Sequence, residues 1–140
     1  MELEYGFLAN AAEVGQDGRF FVLGGNIDGI GVPAVPAAMP GLAILVNISF
    51  EQVECGEVHR FRMTLTNPDG NNAGPECQLD LRPNQPEPAY RNGTTVSVAV
   101  SMIGIPLALQ GEYSFNLFVG DRLIGRIPFW VFIVPGPAGA

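Results

Sequence analysis

Alternation of apolar and polar residues with a period of two recurs along the chain, and this pattern restricts the fold more than any other feature. Within residues 42–50, every second side chain is apolar and points to one side of the expected strand. Residues 59–66, 94–102 and 111–119 repeat the pattern. A helix would need a period near 3.6, and no long segment shows one. The sequence therefore predicts a chain built of β-strands.

Clusters of glycine and proline separate these alternating runs. The chain has 18 glycines and 12 prolines, and such clusters between apolar runs are typical of turns between short strands. Gly120 and Asp121 predict a two-residue hairpin turn, and Asn-Pro-Asp-Gly at residues 67–70 predicts a tight turn. About eight or nine strands at this spacing indicate a sandwich or a barrel.

We therefore predict an all-β fold, and specifically a single-domain antiparallel β-sandwich of immunoglobulin-like type. The domain is expected to span residues 1–134, with residues 135–140 as a flexible C-terminal tail. Residues 4–14 and 19–23 are expected to form the first hairpin, followed by a bulge at Gly24 and Gly25.

Two details of the last hairpin can be predicted from its residues. Tyr113 follows a glycine turn, where immunoglobulin-like folds place a tyrosine whose hydroxyl bonds to the chain a few residues upstream. An ordinary inward-facing aromatic residue is the other interpretation. The two-residue turn also places Arg126 opposite Phe115 on the expected core face. A bulge near Pro128 would turn Arg126 away from the core.

The charge of the chain excludes several classes of partner. The formal net charge is −7, and the sequence contains arginine but no lysine. Because an acidic surface repels phosphate groups and anionic lipids, we expect neither nucleic acid nor a membrane as a partner. The lack of lysine also removes the lysine of a P-loop and the lysine of a Schiff base.

The first residues argue against export. Met1 is followed by two glutamates within three residues, whereas a secretory leader begins with basic residues. No apolar run reaches the length of a transmembrane helix. We therefore expect a cytoplasmic protein in which Cys55 and Cys77 are reduced thiols.

Residues 3–14 and 17–28, Asn-Pro-Asp-Gly at 67–70 and Gly-Glu-Tyr-Ser-Phe at 111–115 together carry a resemblance to a known family. They resemble a widespread bacterial family of uncharacterised small proteins that is common in high-GC genomes, and the similarity spans nearly the whole chain. The resemblance implies an immunoglobulin-like sandwich. Because that family has no assigned activity, cofactor or catalytic residue, the resemblance implies no biochemical role.

His59, the sole histidine, is the first candidate for chemistry. A nucleophile and base could be formed by Cys55 and His59. The simpler interpretation is a partly buried histidine bonded to the backbone. One histidine and two distant cysteines are too few ligands for a zinc site, which needs four ligands or three and a water. We therefore predict no catalytic residue, no metal and no cofactor.

Two loops could bind ions. The glycine-rich residues 24–31 could cradle a phosphate, although they lack a following helix, so a bulged strand entering a loop is favoured. Asn67, Asp69, Asn71 and Asn72 could offer oxygen atoms to calcium, but with one carboxylate among them a plain turn is favoured.

Phe118, Trp130 and Phe132 are the candidate site residues. Alternation sends Phe115 and Leu117 inward, so Phe118 should face outward, and both faces around Trp130 are apolar. Either the N-terminal hairpin covers these residues or they form an exposed apolar surface. Pro128 suggests that their strand lies at a sheet edge.

These observations favour a non-enzymatic protein-interaction or assembly module. Its expected partner is another protein chain, either a second copy or a different protein, which binds at Phe118, Trp130 and Phe132. The alternatives are a small-molecule or calcium-binding β-sandwich and an enzyme with an unrecognised site. A large enclosed polar pocket would favour the alternatives, and a flat apolar patch would favour the interaction module.

Overall fold

The computed structural model describes residues 1–85 and 93–135, and these residues form strands, turns and one short 3-10 helix at Gln52–Glu54, with no α-helix. The all-β prediction is confirmed. Within these described residues, eleven strands follow one another: β1 (Glu2–Val14), β2 (Phe20–Ile27), β3 (Gly29–Val32), β4 (Ala37–Ala38), β5 (Leu42–Glu51), β6 (His59–Thr66), β7 (Cys77–Leu81), β8 (Gly93–Met102), β9 (Pro106–Leu107), β10 (Gly111–Val119) and β11 (Arg122–Ile133).

The strands assemble into two main sheets and one small pair. The four-stranded sheet has the order β2-β1-β5-β8, and the five-stranded sheet has the order β3-β11-β10-β6-β7. The two-residue strands β4 and β9 pair with each other. Strands β3 and β11 are parallel, which departs from the antiparallel pairing that the sequence predicted and that the other described pairs show.

The chain crosses between the two main sheets at Asp28. Ile27 pairs with Leu8 in the four-stranded sheet, whereas Gly29 pairs with Trp130 in the five-stranded sheet. A bulge at Asn26, which has a φ of 64°, precedes the crossing. The predicted bulge near Gly24 and Gly25 is thus confirmed. The loop predicted after it is wrong, because strand β3 begins there.

One cluster of buried side chains joins the two main sheets. The cluster includes alternate residues of β5 from the four-stranded sheet and of β6 and β10 from the five-stranded sheet. These are the residues that the alternation predicted to face inward. Within this cluster the ring of Phe129 stacks on the rings of Tyr113 and Phe115, at centroid distances of 5.5 and 5.4 Å. The residues from the three strands are Leu42, Ile44, Val46, Ile48, Phe50, Phe61, Met63, Leu65, Tyr113, Phe115, Leu117 and Val119.

A bulge in the last hairpin resolves the position of Arg126. Leu117 pairs with Gly125 and Phe118 pairs with Leu123, so Ile124 is the extra residue of β11. Arg126 then lies opposite Asn116 and is exposed. The bulge was predicted near Pro128, and that position is wrong, because the shift occurs immediately after the hairpin turn.

The centre of the outer face of the four-stranded sheet is also buried. Leu45 alternates with the core residues of β5, yet it is fully buried, and Asn47 is buried beside it. The turn of the β1–β2 hairpin approaches this face, since residues 14–20 and the side chains of Tyr5, Asn47 and Ser97 line one cleft. The turn of the N-terminal hairpin therefore approaches this face and not the outer face of β11.

Two further predictions concern the ends of the chain and the membrane. Residues 136–140 of the predicted tail lie outside the described residues. In the part of the chain that the structure describes, no helix is long and apolar enough to cross a bilayer.

Candidate functional site

Trp130 and Phe132 lie on the outer face of β11 and are exposed to solvent. Their side chains are 55% and 45% exposed, whereas Phe129 and Val131, which alternate with them, are fully buried. The expected coverage by the N-terminal hairpin is wrong, because β1 and β2 belong to the other sheet. Trp130, Phe132 and the following Val134 form an exposed surface that we call the aromatic patch.

Strand β3 supports the aromatic patch from the side. A Cβ atom at Gly29 would lie 2.9 Å from Cε1 of Phe132, and one at Gly31 would lie 3.1 Å from Cε2 of Phe132 and from Cγ1 of Val134. The ring of Phe132 therefore rests directly on the backbone of β3. These two glycines belong to the site, and their spacing of two within a short run of alternating residues is the signal that sequence reasoning missed.

Phe118 does not belong to this patch. On β10, Phe118 lies beside Leu123 and Arg62, whereas Glu112 lies beside Trp130. Six residues of an extended strand, from 112 to 118, span about 20 Å. The guanidinium of Arg62 also covers the Phe118 ring, with Cζ 4.3 Å from the ring centroid. The three predicted site residues thus occupy two separate places on one sheet.

The backbone beside the patch is already paired. Strand β3 pairs with β11 from Trp130 to Ile133, and the Trp130 amide donates to the Asp28 carbonyl at 2.9 Å. Strand β3 pairs with β11 only from Trp130 onward, so the earlier part of β11, which contains Pro128, has the edge position that was predicted for this strand. A partner at the aromatic patch would therefore contact side chains and could not pair with the backbone of β11 between Trp130 and Ile133.

Carboxylates flank the aromatic patch. Glu112 lies across from Trp130 on β10, and Asp28 precedes the β3 segment beside it, and both side chains are exposed. Their charges make the rim of the patch negative while its centre is apolar. A surface of this kind favours a partner with an apolar centre and basic residues around it.

His59 and Cys55 each bond to the backbone. A ring nitrogen of His59 lies 2.8 Å from the Glu54 carbonyl, and the Cys55 thiol donates to the Glu51 carbonyl at 3.4 Å. No hydrogen bond joins these two described side chains. The interpretation of His59 as a backbone-bonded residue is confirmed, and the ring also packs against Phe50 at 5.1 Å between centroids.

The loop at residues 67–72 is held by hydrogen bonds to Asn67. The side-chain oxygen of Asn67 accepts hydrogen bonds from the amides of Asp69 and Asn71, at 2.9 and 3.0 Å. The Gly70 amide donates to the Asn67 carbonyl at 2.9 Å, with Gly70 at a φ of 84°. This is the predicted turn, and these hydrogen bonds stabilise the loop.

An open cleft of about 610 Å³ lies between the first hairpin turn and the outer face of the four-stranded sheet. Asn47, which is buried, donates to the Ser97 hydroxyl at 3.0 Å at its floor. An open cleft buries less of a small molecule than an enclosed pocket does, so it gives weaker support to a small-molecule site than the exposed patch gives to a protein contact.

A second exposed apolar surface lies on β2 and was missed from the sequence. Phe21 is 65% exposed and Leu23 is 72% exposed, and both lie on one face of the strand. The signal was the run Phe-Phe-Val-Leu at residues 20–23, which is apolar on both faces although a two-stranded hairpin can bury little.

Comparison with known proteins identifies a family. A family model described as a family of unknown function (DUF6941) matches residues 4–132, which is almost the whole chain. No curated protein matches the sequence.

Proposed function

We propose that this chain, which belongs to the DUF6941 family of unknown function, is a non-enzymatic module that binds another protein chain through its aromatic patch. The observation that carries the proposal is the exposure of Trp130 beside Phe132 on the outer face of a packed sheet. Large aromatic side chains rarely remain exposed together on a surface that contacts nothing.

The aromatic patch suits binding because its geometry is fixed in advance. Phe132 lies on the glycine backbone of β3, and the neighbouring Phe129 and Val131 anchor the strand in the core. Tryptophan and phenylalanine have few rotatable bonds, so little conformational entropy is lost when they are covered. Most of the gain would come from removing the indole of Trp130 from water.

The proposed partner presents an apolar recess with basic residues at its rim. The negative charges of Glu112 and Asp28 flank the patch, and the whole chain carries a net charge of −7. Complementary charge would accelerate association and exclude acidic partners, including nucleic acid. Binding at this rim would weaken as salt concentration rises.

The immunoglobulin-like sandwich and the cytoplasmic location are also part of this proposal. Two main sheets with one shared core and the two hydrogen bonds between the Tyr113 hydroxyl and the backbone of Leu109 support the sandwich. Cys55 and Cys77, both free thiols in the structure, support a reducing compartment.

A comparison of baits tests the proposed function. Wild type, Trp130→Ser and Ile103→Ser are immobilised and exposed to an extract of the native host. Ile103 is exposed and apolar but lies outside the aromatic patch, so its variant controls for non-specific adhesion. We expect proteins that wild type and Ile103→Ser retain and that Trp130→Ser loses.

A purified partner then allows a direct measurement. Trp130 is the only tryptophan, so its fluorescence should shift to shorter wavelength when the partner covers the indole. Equal retention by all three baits, or a partner that binds without any change in Trp130 emission, would contradict the proposal.

A further inference from the structure

The first hairpin curls back over the outer face of its own sheet. Phe20 pairs with Val14 at the far end of β1, yet its ring centroid lies 6.2 Å from that of Tyr5. A straight strand from Tyr5 to Val14 would be about 30 Å long. The curl leaves an open cleft of about 610 Å³ between the hairpin turn, the outer face of the sheet and residues 82–84. Sites for small molecules have volumes of roughly 300–1,000 Å³.

A row of polar side chains crosses the floor of this cleft. Tyr5 of β1 pairs with Asn47 of β5, which pairs with Ser97 of β8. Residues that pair directly across antiparallel strands lie on the same face, so the three side chains stand side by side. The floor is therefore polar although it includes a central strand, where asparagine is uncommon.

Asn47 keeps one hydrogen-bonding atom for a bound molecule. The residue is 6% exposed, and Nδ2 donates to the Ser97 hydroxyl at 3.0 Å. Among the described residues no group donates to Oδ1, yet no buried side-chain oxygen or nitrogen there lacks a partner. Oδ1 is therefore reached from the cleft, where a hydroxyl group of a ligand could donate to it.

The cleft is locally basic although the chain is acidic. Of the described residues that line it, Arg19 and Arg82 are basic and Asp17 alone is acidic, whereas the whole chain has a net charge of −7. The Asp17 carboxylate accepts hydrogen bonds from the Arg19 amide and from Arg19 Nε, which leaves the terminal nitrogens of Arg19 as donors. Arg82 forms no ion pair with a described residue. Guanidinium groups pair best with the two oxygens of a carboxylate or a phosphate.

We propose that this cleft binds a sugar ring that carries one acidic group, either a carboxylate or a phosphate. The acidic group pairs with the two arginines, and the ring hydroxyls match the amide of Asn47, the hydroxyl of Ser97 and the other uncharged polar side chains. A C–H face of the ring suits Tyr5 or Phe20, because C–H groups carry a slight positive charge and the face of an aromatic ring is negative. The other uncharged polar residues that line the cleft are Gln16, Asn84, Thr94 and Thr95.

Chemical-shift changes in ¹H–¹⁵N NMR spectra test the site residue by residue. The probes are glucuronate, glucose 6-phosphate, glucose and acetate. We expect glucuronate or glucose 6-phosphate to shift the amides of Gly18, Asn47 and Ser97 to saturation, and the tighter of the two identifies the acidic group. Glucose should bind about tenfold more weakly, because it lacks the charge-assisted hydrogen bonds to arginine. Acetate, which has no ring, should not saturate these shifts.

Two variants at exposed positions separate recognition of the charge from recognition of the ring. Arg82→Gln should weaken binding of the acidic sugar about tenfold and leave the affinity for glucose unchanged, because glucose has no group for the guanidinium to pair with. Tyr5→Ala should weaken binding of the acidic sugar and of glucose alike, since both present the same C–H face. Both residues are exposed, and thermal unfolding verifies that each variant is folded.

A matched control removes the same charge elsewhere. Arg126→Gln alters an exposed arginine on the other main sheet and should bind the acidic sugar as wild type does. Trp130→Ser should also bind it normally, because Trp130 lies on that other sheet, so this proposal and the proposed function can fail separately. The proposal would be overturned if neither acidic sugar shifted the cleft amides, if glucose or acetate bound equally well, or if Arg82→Gln behaved like Arg126→Gln.

Discussion

The Tyr113 hydroxyl is bonded twice to a single residue, Leu109. It accepts a hydrogen bond from the Leu109 amide at 3.2 Å and donates one to the Leu109 carbonyl at 3.0 Å. The ring is buried and stacks on Phe129. The bond to the chain a few residues upstream was one of two interpretations of this tyrosine from the sequence, and the structure confirms it.

Removal of this hydroxyl should destabilise the fold. Tyr113→Phe leaves the amide and carbonyl of Leu109 without their partner in a partly buried place, which costs about 1–3 kcal/mol. Urea unfolding followed by circular dichroism measures the change. Tyr5→Phe, at an exposed tyrosine, should change stability by less than about 0.5 kcal/mol. Equal effects of the two variants would mean that the Leu109 bonds contribute nothing.

Neighbouring aromatic residues on β11 should differ sharply in their cost to stability. Phe129 is fully buried, and Phe129→Ala should destabilise the protein by about 3–5 kcal/mol. Trp130→Ser should cost less than about 1 kcal/mol, because the indole is 55% exposed. Thermal unfolding of both variants gives the comparison. A large loss for Trp130→Ser would show that Trp130 serves the core and would remove the basis of the aromatic patch.

Local sequence patterns predicted most of the long strands because each one is specified by its own alternation. In β6 the inward residues Phe61, Met63 and Leu65 are all buried, as a period of two requires. The turn at Gly120 and the turn at Asn67 follow from residues that tolerate a positive φ or bond to their own backbone.

The remaining features depend on pairing between distant segments, which no local pattern contains. Strand β3 has four residues, two of them glycine, and is stabilised by parallel pairing with β11 a hundred residues later. The bulge at Ile124 changes which residues of β11 face β10. The separation of Phe118 from Trp130 follows from the register along β10. Alternation placed both residues on the outer face but could not place them along the strand.

The two thiols should react slowly in the folded protein. Burial raises the pKa of the Cys77 thiol above its ordinary value, and Cys55 is buried with its thiol bonded to the Glu51 carbonyl. A raised pKa lowers the fraction of thiolate at any given pH, so Cys77 alkylation at pH 7 should be slower than that of a free thiol.

Unfolding should expose both thiols. In guanidinium chloride without reductant, two thiols per chain should react rapidly, because the folded structure contains no bond between them. Mass spectrometry after timed alkylation measures both states. Fast labelling of Cys77 in the native protein would contradict the burial argument, and fewer than two reactive thiols after unfolding would contradict a reducing compartment.

A single methyl group at Gly29 should change the aromatic patch without unfolding the protein. The Cβ atom of Gly29→Ala would meet Cε1 of Phe132 at 2.9 Å, a distance at which one of the two must move. Phe132 is 45% exposed, so its ring can swing into solvent, and the loss of stability should be below about 1 kcal/mol. The ring would then no longer lie against β3 beside Trp130.

Partner binding through the patch should fall to a similar extent as in Phe132→Ala, whereas Gly41→Ala, at a glycine with open space around it, should leave binding unchanged. Titration of the partner against the three variants, with Trp130 emission as the signal, tests whether β3 positions the patch, and full binding by Gly29→Ala would show that it does not.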